Sequence, residues 1–98
     1  MLKHIVMIKF NAGQDVEKLS DEFIQKLKAL ESSVDSLKAM EVGKSISAKP
    51  SAFHLVLTAL FEDEAGLNAY RTHPDHVKIL ERMKETVTAV VAVDYLID

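Results

Sequence analysis

The segment "FHLVLTALFEDEAGLNAYRTHPDHV", residues 53–77, changes its pattern twice along its length. Its first part, Phe53–Phe61, carries aliphatic and aromatic residues on both alternating sets of positions, which predicts a strand. Its even positions carry His54, Val56, Thr58 and Leu60. Acidic residues open the next part, where the helix dipole favours negative charge. We therefore expect a helix that follows this strand and runs to about Tyr70.

The pair His73-Pro74 interrupts that helix. A proline pushes the residue before it out of the helical region of backbone space, and proline itself suits the first turn of a new helix. The sequence thus predicts a short helix, a break, and a second helix from Pro74 to about Glu85. Histidine at position 73 is then explained by the break alone.

The regions on either side of this segment supply the remaining elements. Strands are predicted at His4–Phe10, Leu37–Ile46 and Val87–Ile97, all rich in aliphatic residues. Between the first two strands, apolar residues recur every three or four positions and predict an amphipathic helix. This apolar stripe consists of Val16, Leu19, Phe23, Leu27 and Leu30.

The predicted order β-α-β-β-α-β is that of the ferredoxin-like α+β fold, a four-stranded antiparallel sheet with its helices on one face. We expect a single domain over residues 1–98. The other sheet face is also predicted to be apolar, and an apolar surface of this kind indicates an interface. A homodimer with two sheets packed face to face, a dimeric α/β barrel, is therefore expected. The residues assigned to that face are Ile5, Met7, Leu55, Leu57 and Phe61.

Composition narrows the classes of function. A net charge of −3 argues against a nucleic-acid partner, because such partners are usually met by a basic surface. The chain contains no cysteine, which excludes disulfides and thiolate chemistry. No apolar run approaches the ~20 residues of a membrane span, and the first ten residues are typical of a strand rather than a signal peptide. We therefore expect a cytoplasmic protein without a membrane partner.

Four histidines and one tyrosine are the candidates for chemistry. His4 and His54 both occupy even positions of their strands, so both point towards the helices if that face is the covered one. His76 begins an apolar stripe of the last helix, and Tyr70 lies just before the break. Several polar groups that converge in an apolar pocket are the usual signature of a ligand site.

Two further interpretations of these residues stand beside a ligand site. A histidine on an apolar face is most often a hydrogen-bonded core residue, so each one taken singly favours a structural role. A metal site formed by His73 and His76 is disfavoured, because His73 precedes the proline and a stable zinc site needs about four ligands. No serine-nucleophile motif supports serine-type catalysis, and no phosphate-binding loop indicates a nucleotide. We expect no cofactor.

Four segments together resemble the stress-responsive α/β-barrel (Dabb) family over essentially the whole chain. They are "KHIVMIKF" at residues 3–10, "FHLVLTALFED" at 53–63, "LNAYRTHPDHV" at 67–77 and "VDY" at 93–95. The resemblance implies a ferredoxin-like monomer and a homodimer whose sheets form a central barrel. It also implies the site of the family's plant polyketide cyclases, which catalyse an intramolecular aldol condensation on a polyketide thioester.

Carried over onto this sequence, the resemblance implies that Tyr70, His76 and Asp94 are catalytic. His76 would be the general base, Tyr70 would donate a hydrogen bond to the carbonyl oxygen, and Asp94 would orient His76 or hold its imidazolium form. The implied substrate contacts are His4, His54, Val56, Ile24 and Leu27. Ile24 and Leu27 stand where the cyclases have aromatic residues.

Two functions follow from these expectations. The first is a cofactor-free cyclase or lyase that removes a proton from the carbon next to a carbonyl group. The second is a non-catalytic stress-response protein that binds a small apolar or carbonyl-containing molecule in the same cavity.

Overall fold

A computed structural model describes residues 1–97 and confirms the predicted order of elements, with the second helix divided in two. The elements are β1 (Leu2–Phe10), α1 (Val16–Ser33), β2 (Ala39–Lys44), β3 (Leu55–Phe61), α2 (Glu64–Thr72), α3 (Pro74–Thr86) and β4 (Val87–Leu96). Residue 98 of the predicted domain lies outside the described residues. None of the described helices combines the length and the apolar character that a membrane span requires.

The four strands form one antiparallel sheet in the order β2-β3-β1-β4. This is the ferredoxin-like fold that the alternation of strand and helix patterns predicts. The central strand β1 pairs with β3 on one side and with β4 on the other, so that His4 lies between Ala59 and Asp94. This register makes Asp94 the direct neighbour of His4 on β4.

The core lies between the sheet and the helices. The even positions of β1 are buried there, which confirms the covered face that we expected for this strand. From α1 the buried residues are Leu19, Ser20, Phe23, Leu27 and Leu30, and their spacing gives the helix one core-facing side. The side chain of Asp15 caps the start of α1 by accepting a hydrogen bond from the Lys18 amide at 3.1 Å.

The face assignment of β3 was wrong. Its odd positions are the buried ones, because Leu55 pairs with Ile8 and Ala59 pairs with His4, and side chains of paired residues lie on the same face. The residues Leu55, Leu57 and Phe61 therefore belong to the core and not to the outer face. Val56 lies on the outer face instead.

The outer face is nevertheless apolar, but its residues differ from those predicted. Cross-strand neighbours of Ile5 and Met7 on β3 and β4 complete it. Its exposed apolar side chains are Met7, Val56, Val91, Val93 and Tyr95. The predicted second strand also proves shorter than expected, because Ile46 follows the end of β2 and is fully exposed.

Helices α1 and α3 are joined by an ion pair. Both side-chain carboxylate oxygens of Glu22 accept hydrogen bonds from Arg82, at 2.8 and 3.2 Å, and Lys26 contacts the same carboxylate at 3.0 Å. The hydrogen bond from Arg82, more than any other contact, lowers the pKa of Glu22 to about 2. This pair links α3 to α1.

Candidate functional site

The site is built around the break between α2 and α3. His73 ends α2 and caps α3, and its Nδ1 atom accepts a hydrogen bond from the Asp75 amide at 3.1 Å. Its carbonyl oxygen accepts from the amides of His76 and Val77, both at 3.0 Å. Pro74 at the start of α3 has no amide hydrogen that would need a partner. The structural role predicted for His73 is thus confirmed.

The break also determines how His76 is held. In an uninterrupted helix the carbonyl of Arg71 would accept from the amide of Asp75, but that amide is bonded to His73. The Nδ1 atom of His76 lies 3.2 Å from the free carbonyl oxygen instead. A carbonyl oxygen only accepts, so Nδ1 carries the hydrogen and the neutral ring has its lone pair on Nε2.

A cavity of about 340 Å³ opens between the strands β1, β3 and β4 and the helices α1 to α3. Its polar lining consists of His4, Tyr70, Arg71 and His76. The rest of the lining is apolar and includes Leu27, Leu57, Ile79, Leu80, Met83 and Val90. A small molecule in this cavity would lie mostly against hydrocarbon and meet hydrogen-bonding groups at one end only.

Tyr70 is the most deeply buried polar side chain at that end. Its ring centroid lies 4.3 Å from that of His76 and 6.1 Å from that of His4. Among residues 1–97 its hydroxyl is the buried side-chain polar atom that has no hydrogen-bond partner. Burial raises the pKa of Tyr70 to about 12, so the hydroxyl stays protonated at neutral pH and has a hydrogen to donate.

Burial also sets the charge state of His76. Removal of the ring from water lowers its pKa below the ordinary value of 6.5. The hydrogen bond to the Arg71 carbonyl opposes this shift, whereas the charges of His4, Arg71 and His73 add to it. His76 is therefore neutral at pH 7, with Nε2 available to accept a proton.

Asp94 contacts a different histidine from the one expected. One of its carboxylate oxygens is bonded to Nδ1 of His4, and the other accepts from the Arg71 guanidinium at 3.0 Å. The expectation that Asp94 orients His76 was therefore wrong. The reason is the register of β1 and β4, in which His4 and Asp94 are direct partners.

Three of the expected site residues lie away from this cavity. His54 accepts a hydrogen bond from the Phe10 amide at 3.0 Å and stacks on the Phe10 ring, with centroids 5.6 Å apart. Val56 lies on the outer face because it pairs with Met7 of β1, contrary to the face predicted for it. Ile24 packs against the core from α1 without lining the cavity, whereas Leu27 does line it.

Arg71 is a lining residue that the sequence analysis missed. Its position next to Tyr70 in the last turn of α2 is the signal that could have pointed to it, because basic side chains are favoured at helix C-termini. Among the described residues, no group of three or more histidine, aspartate or glutamate side chains is placed to hold a metal ion.

The model of the Stress responsive A/B Barrel Domain family, Dabb, matches residues 2–97. The chain belongs to the Dabb family. A curated relative is the stress-response A/B barrel domain-containing protein At5g22580 of Arabidopsis thaliana. The two are 27% identical over 96 residues, which cover 95% of this chain and 83% of the relative.

Solved structures of similar proteins share the fold of this Dabb chain. A dimeric protein of unknown function with a ferredoxin-like fold from Bacteroides fragilis superposes with a TM-score of 0.88 at 26% identity, over 98% of this chain and 95% of the other. The hydroxynitrile lyase of Passiflora edulis superposes with a TM-score of 0.83 at 15% identity, over 99% and 93% of the two chains. At 15% identity, the similarity to the hydroxynitrile lyase shows a shared fold and nothing more.

Proposed function

We propose that this Dabb protein is a cofactor-free enzyme of the cyclase or lyase type, which removes a proton from the carbon next to a carbonyl group. The observation that carries the proposal is the buried Tyr70 hydroxyl, which has no protein partner and lies beside two imidazoles in an apolar cavity. Leaving a buried hydroxyl without a partner costs about 1–3 kcal/mol. A ligand oxygen would supply the missing partner.

The proton transfer uses Tyr70 and His76 in complementary roles. The Nε2 atom of His76 accepts the proton, the C–H electron pair becomes the C=C bond of an enolate, and the carbonyl π pair moves onto oxygen. The Tyr70 hydroxyl donates a hydrogen bond to this oxygen as its charge grows, which an apolar surrounding strengthens. Because its pKa is about 12, Tyr70 donates without losing its own proton at neutral pH.

The remaining lining supplies binding. His4, held by Asp94 at the same end of the cavity, would contact a second polar atom of the substrate. The apolar part of the cavity would hold the carbon chain. One protein of this fold carries the name hydroxynitrile lyase, which supports lyase chemistry on this scaffold.

Deuterium exchange tests the proposal without knowledge of the natural substrate. The protein should accelerate exchange of the α-hydrogens of a simple acyl thioester in D₂O. The loss of the α-hydrogen signal in ¹H NMR measures this exchange. Tyr70→Phe should slow the reaction roughly 10²–10³-fold, the loss expected for one oxyanion donor, and His76→Ala should abolish it. Tyr95→Phe is the matched control and should behave like the wild type, because Tyr95 lies on the outer face. No acceleration of either a thioester or a methyl ketone by the wild type would reject the proposal.

The mostly apolar lining also favours a second function, the binding of a small molecule without chemistry. In that case native mass spectrometry of freshly purified protein should find a retained ligand, and His76→Ala should release it. Exchange would then be no faster than in buffer. Acceleration of exchange that depends on both Tyr70 and His76 would contradict this alternative.

We further propose that the chain forms a homodimer through the outer face of its sheet. Five apolar side chains are exposed on that face, namely Met7, Val56, Val91, Val93 and Tyr95. A patch of this kind is unusual for a monomer, and the similar protein from Bacteroides fragilis is described as dimeric. The cavity lies on the opposite face of the sheet, so two cavities would open away from the interface.

A further inference from the structure

The helical layer covers the centre of the sheet and stops short of the edge strand β4. Ile8 of β1 is 1% exposed, whereas Val90, its direct partner on β4 and on the same face, is 46% exposed. Leu80 of α3, which lines the cavity together with Val90, is 40% exposed. Two apolar side chains of the cavity wall therefore reach solvent between α3 and β4.

A second cavity of about 360 Å³ continues from this gap, and we call it the side groove. It shares Leu80, Met83 and Val90 with the cavity that contains Tyr70 and His76. The two cavities are therefore neighbouring compartments along one apolar wall. The other residues that line the side groove are Lys84, Val87, Thr88 and Ala89.

The lining of the side groove favours hydrocarbon as its occupant. Its side chains are aliphatic except for those of Met83, Lys84 and Thr88, and apolar surface gains free energy when a ligand removes it from water. The proposed dimer occupies the outer face of the sheet, whereas the side groove lies on the helical side. Because the two compartments are continuous, the ligand of the cavity is the molecule that can cover this wall.

We propose that the substrate is a linear carbonyl compound whose alkyl chain leaves the cavity between α3 and β4 and lies in the side groove. Leu80, Met83 and Val90 contact the chain and determine how tightly chains of different length bind. The wall continues past Val90, so affinity should keep rising for chains that are too long for the cavity alone. The placement of the carbonyl group at Tyr70 rests on the proposed function, whereas the course of the chain is tested by binding alone.

The test is a titration of the full ¹⁵N-labelled chain with methyl ketones of increasing length, from butanone through 2-hexanone and 2-octanone to 2-decanone. The dissociation constant should fall by up to about fourfold for each added methylene that contacts the apolar wall. Butanone should shift the amide signals around Tyr70 and His76. The longer ketones should in addition shift those of Thr88 and Ala89.

Variants at the gap locate the chain. Leu80→Gln should weaken the binding of 2-decanone about tenfold and leave that of butanone unchanged, because only the long chain passes this residue. Val90→Thr keeps the shape of the side chain and should act in the same direction. Val77→Gln is the matched control, since Val77 is an exposed apolar residue of the same helix that lines neither compartment. Circular dichroism checks that each variant is folded.

Dissociation constants that do not fall from 2-hexanone to 2-decanone, or unshifted Thr88 and Ala89 signals with 2-decanone, would overturn the inference. A change of mass in Leu80→Gln, measured by light scattering, would also overturn it, because the exposed wall would then be a contact between copies. Chain-length-dependent binding without α-hydrogen exchange would retain the course of the chain and reject only the proposed function. Exchange without any effect of chain length on binding would do the reverse.

Discussion

At the scale of single residues, the hydroxyl of Tyr70 has opposite effects on stability and on the proposed reaction. Its side chain is fully buried, and its hydroxyl has no partner. A buried donor left without a partner weakens the fold, whereas replacing it by an apolar group of the same shape does not.

Tyr70→Phe should therefore stabilise the protein while it slows exchange. We expect the free energy of unfolding to rise by about 1 kcal/mol, measured by urea denaturation with fluorescence or circular dichroism. Tyr95→Phe keeps the apolar ring on the outer face of the sheet, away from the cavity, and should change it by less than about 0.5 kcal/mol. A clear loss of stability in Tyr70→Phe would mean that the hydroxyl has a partner in the free protein.

His76 makes stability depend on pH in a defined direction. Its pKa in the folded protein lies below 6.5. In the unfolded chain the pKa of a histidine is close to 6.5. The unfolded state therefore binds more protons in this range, and the free energy of unfolding falls as pH falls through 6.5 and towards the folded pKa. Above about pH 7 this contribution is flat.

Urea denaturation at several values of pH between about 5 and 8 measures this dependence. His76→Gln should remove the part of the slope that His76 contributes, since glutamine does not titrate. Equal slopes in the two proteins would contradict a lowered pKa for His76. Deuterium exchange should fall over the same range, because protonated Nε2 cannot act as a base.

The sequence allowed some of the site to be predicted and not the rest. His76 was placed on the core side from the stripe of its own helix, which is local information. The partner of Asp94 depends on the register of β1 against β4, which no spacing within either strand contains. The ferredoxin-like topology places β1 next to β4, and from that placement His4 could have been considered as the partner of Asp94.

At the scale of elements, the break between α2 and α3 is the feature on which the site depends. His73 caps α3 with its side chain and thereby keeps the Asp75 amide away from the carbonyl that His76 uses. The local sequence predicted this break well, because proline chemistry acts on its immediate neighbours.

His73→Ala should remove the cap of α3. We expect a loss of about 1 kcal/mol in the free energy of unfolding, the usual effect of losing a cap, together with slower exchange as His76 loses its fixed orientation. His73→Asn is the control, since asparagine also caps helices, and it should retain most of the stability. Equal stability of His73→Ala and the wild type would contradict the capping role.

The faces of β3 show why the sequence could not determine every element. Phe53–Phe61 is apolar on both alternating sets, so the pattern alone does not favour one face. Even-numbered residues of two different strands need not lie on the same face of the sheet, because the pairing register determines which residues are neighbours. In the structure Leu55 pairs with Ile8, and Val56 consequently points outward.

At the scale of the whole molecule, the proposed dimer makes a direct prediction. Light scattering after size exclusion should give twice the mass of one chain. Val93→Lys should yield a folded monomer, because Val93 is 61% exposed in one chain and a buried unpaired charge would oppose association. Val77→Lys, on α3 at 38% exposure, is the matched control and should remain dimeric. A monomeric wild type would reject the interface.

The strand β4 has a consequence for the protein's behaviour at high concentration. It lies at the edge of the sheet, and residues 87–93, "VTAVVAV", contain no charge, glycine or proline. Short segments of this composition with a free edge are the ones that template cross-β stacking. The first charged residue of the strand is Asp94, so the carboxylate that holds His4 also acts as the gatekeeper that ends an aggregation-prone run. Selection on that one side chain would therefore act through solubility as well as through the site.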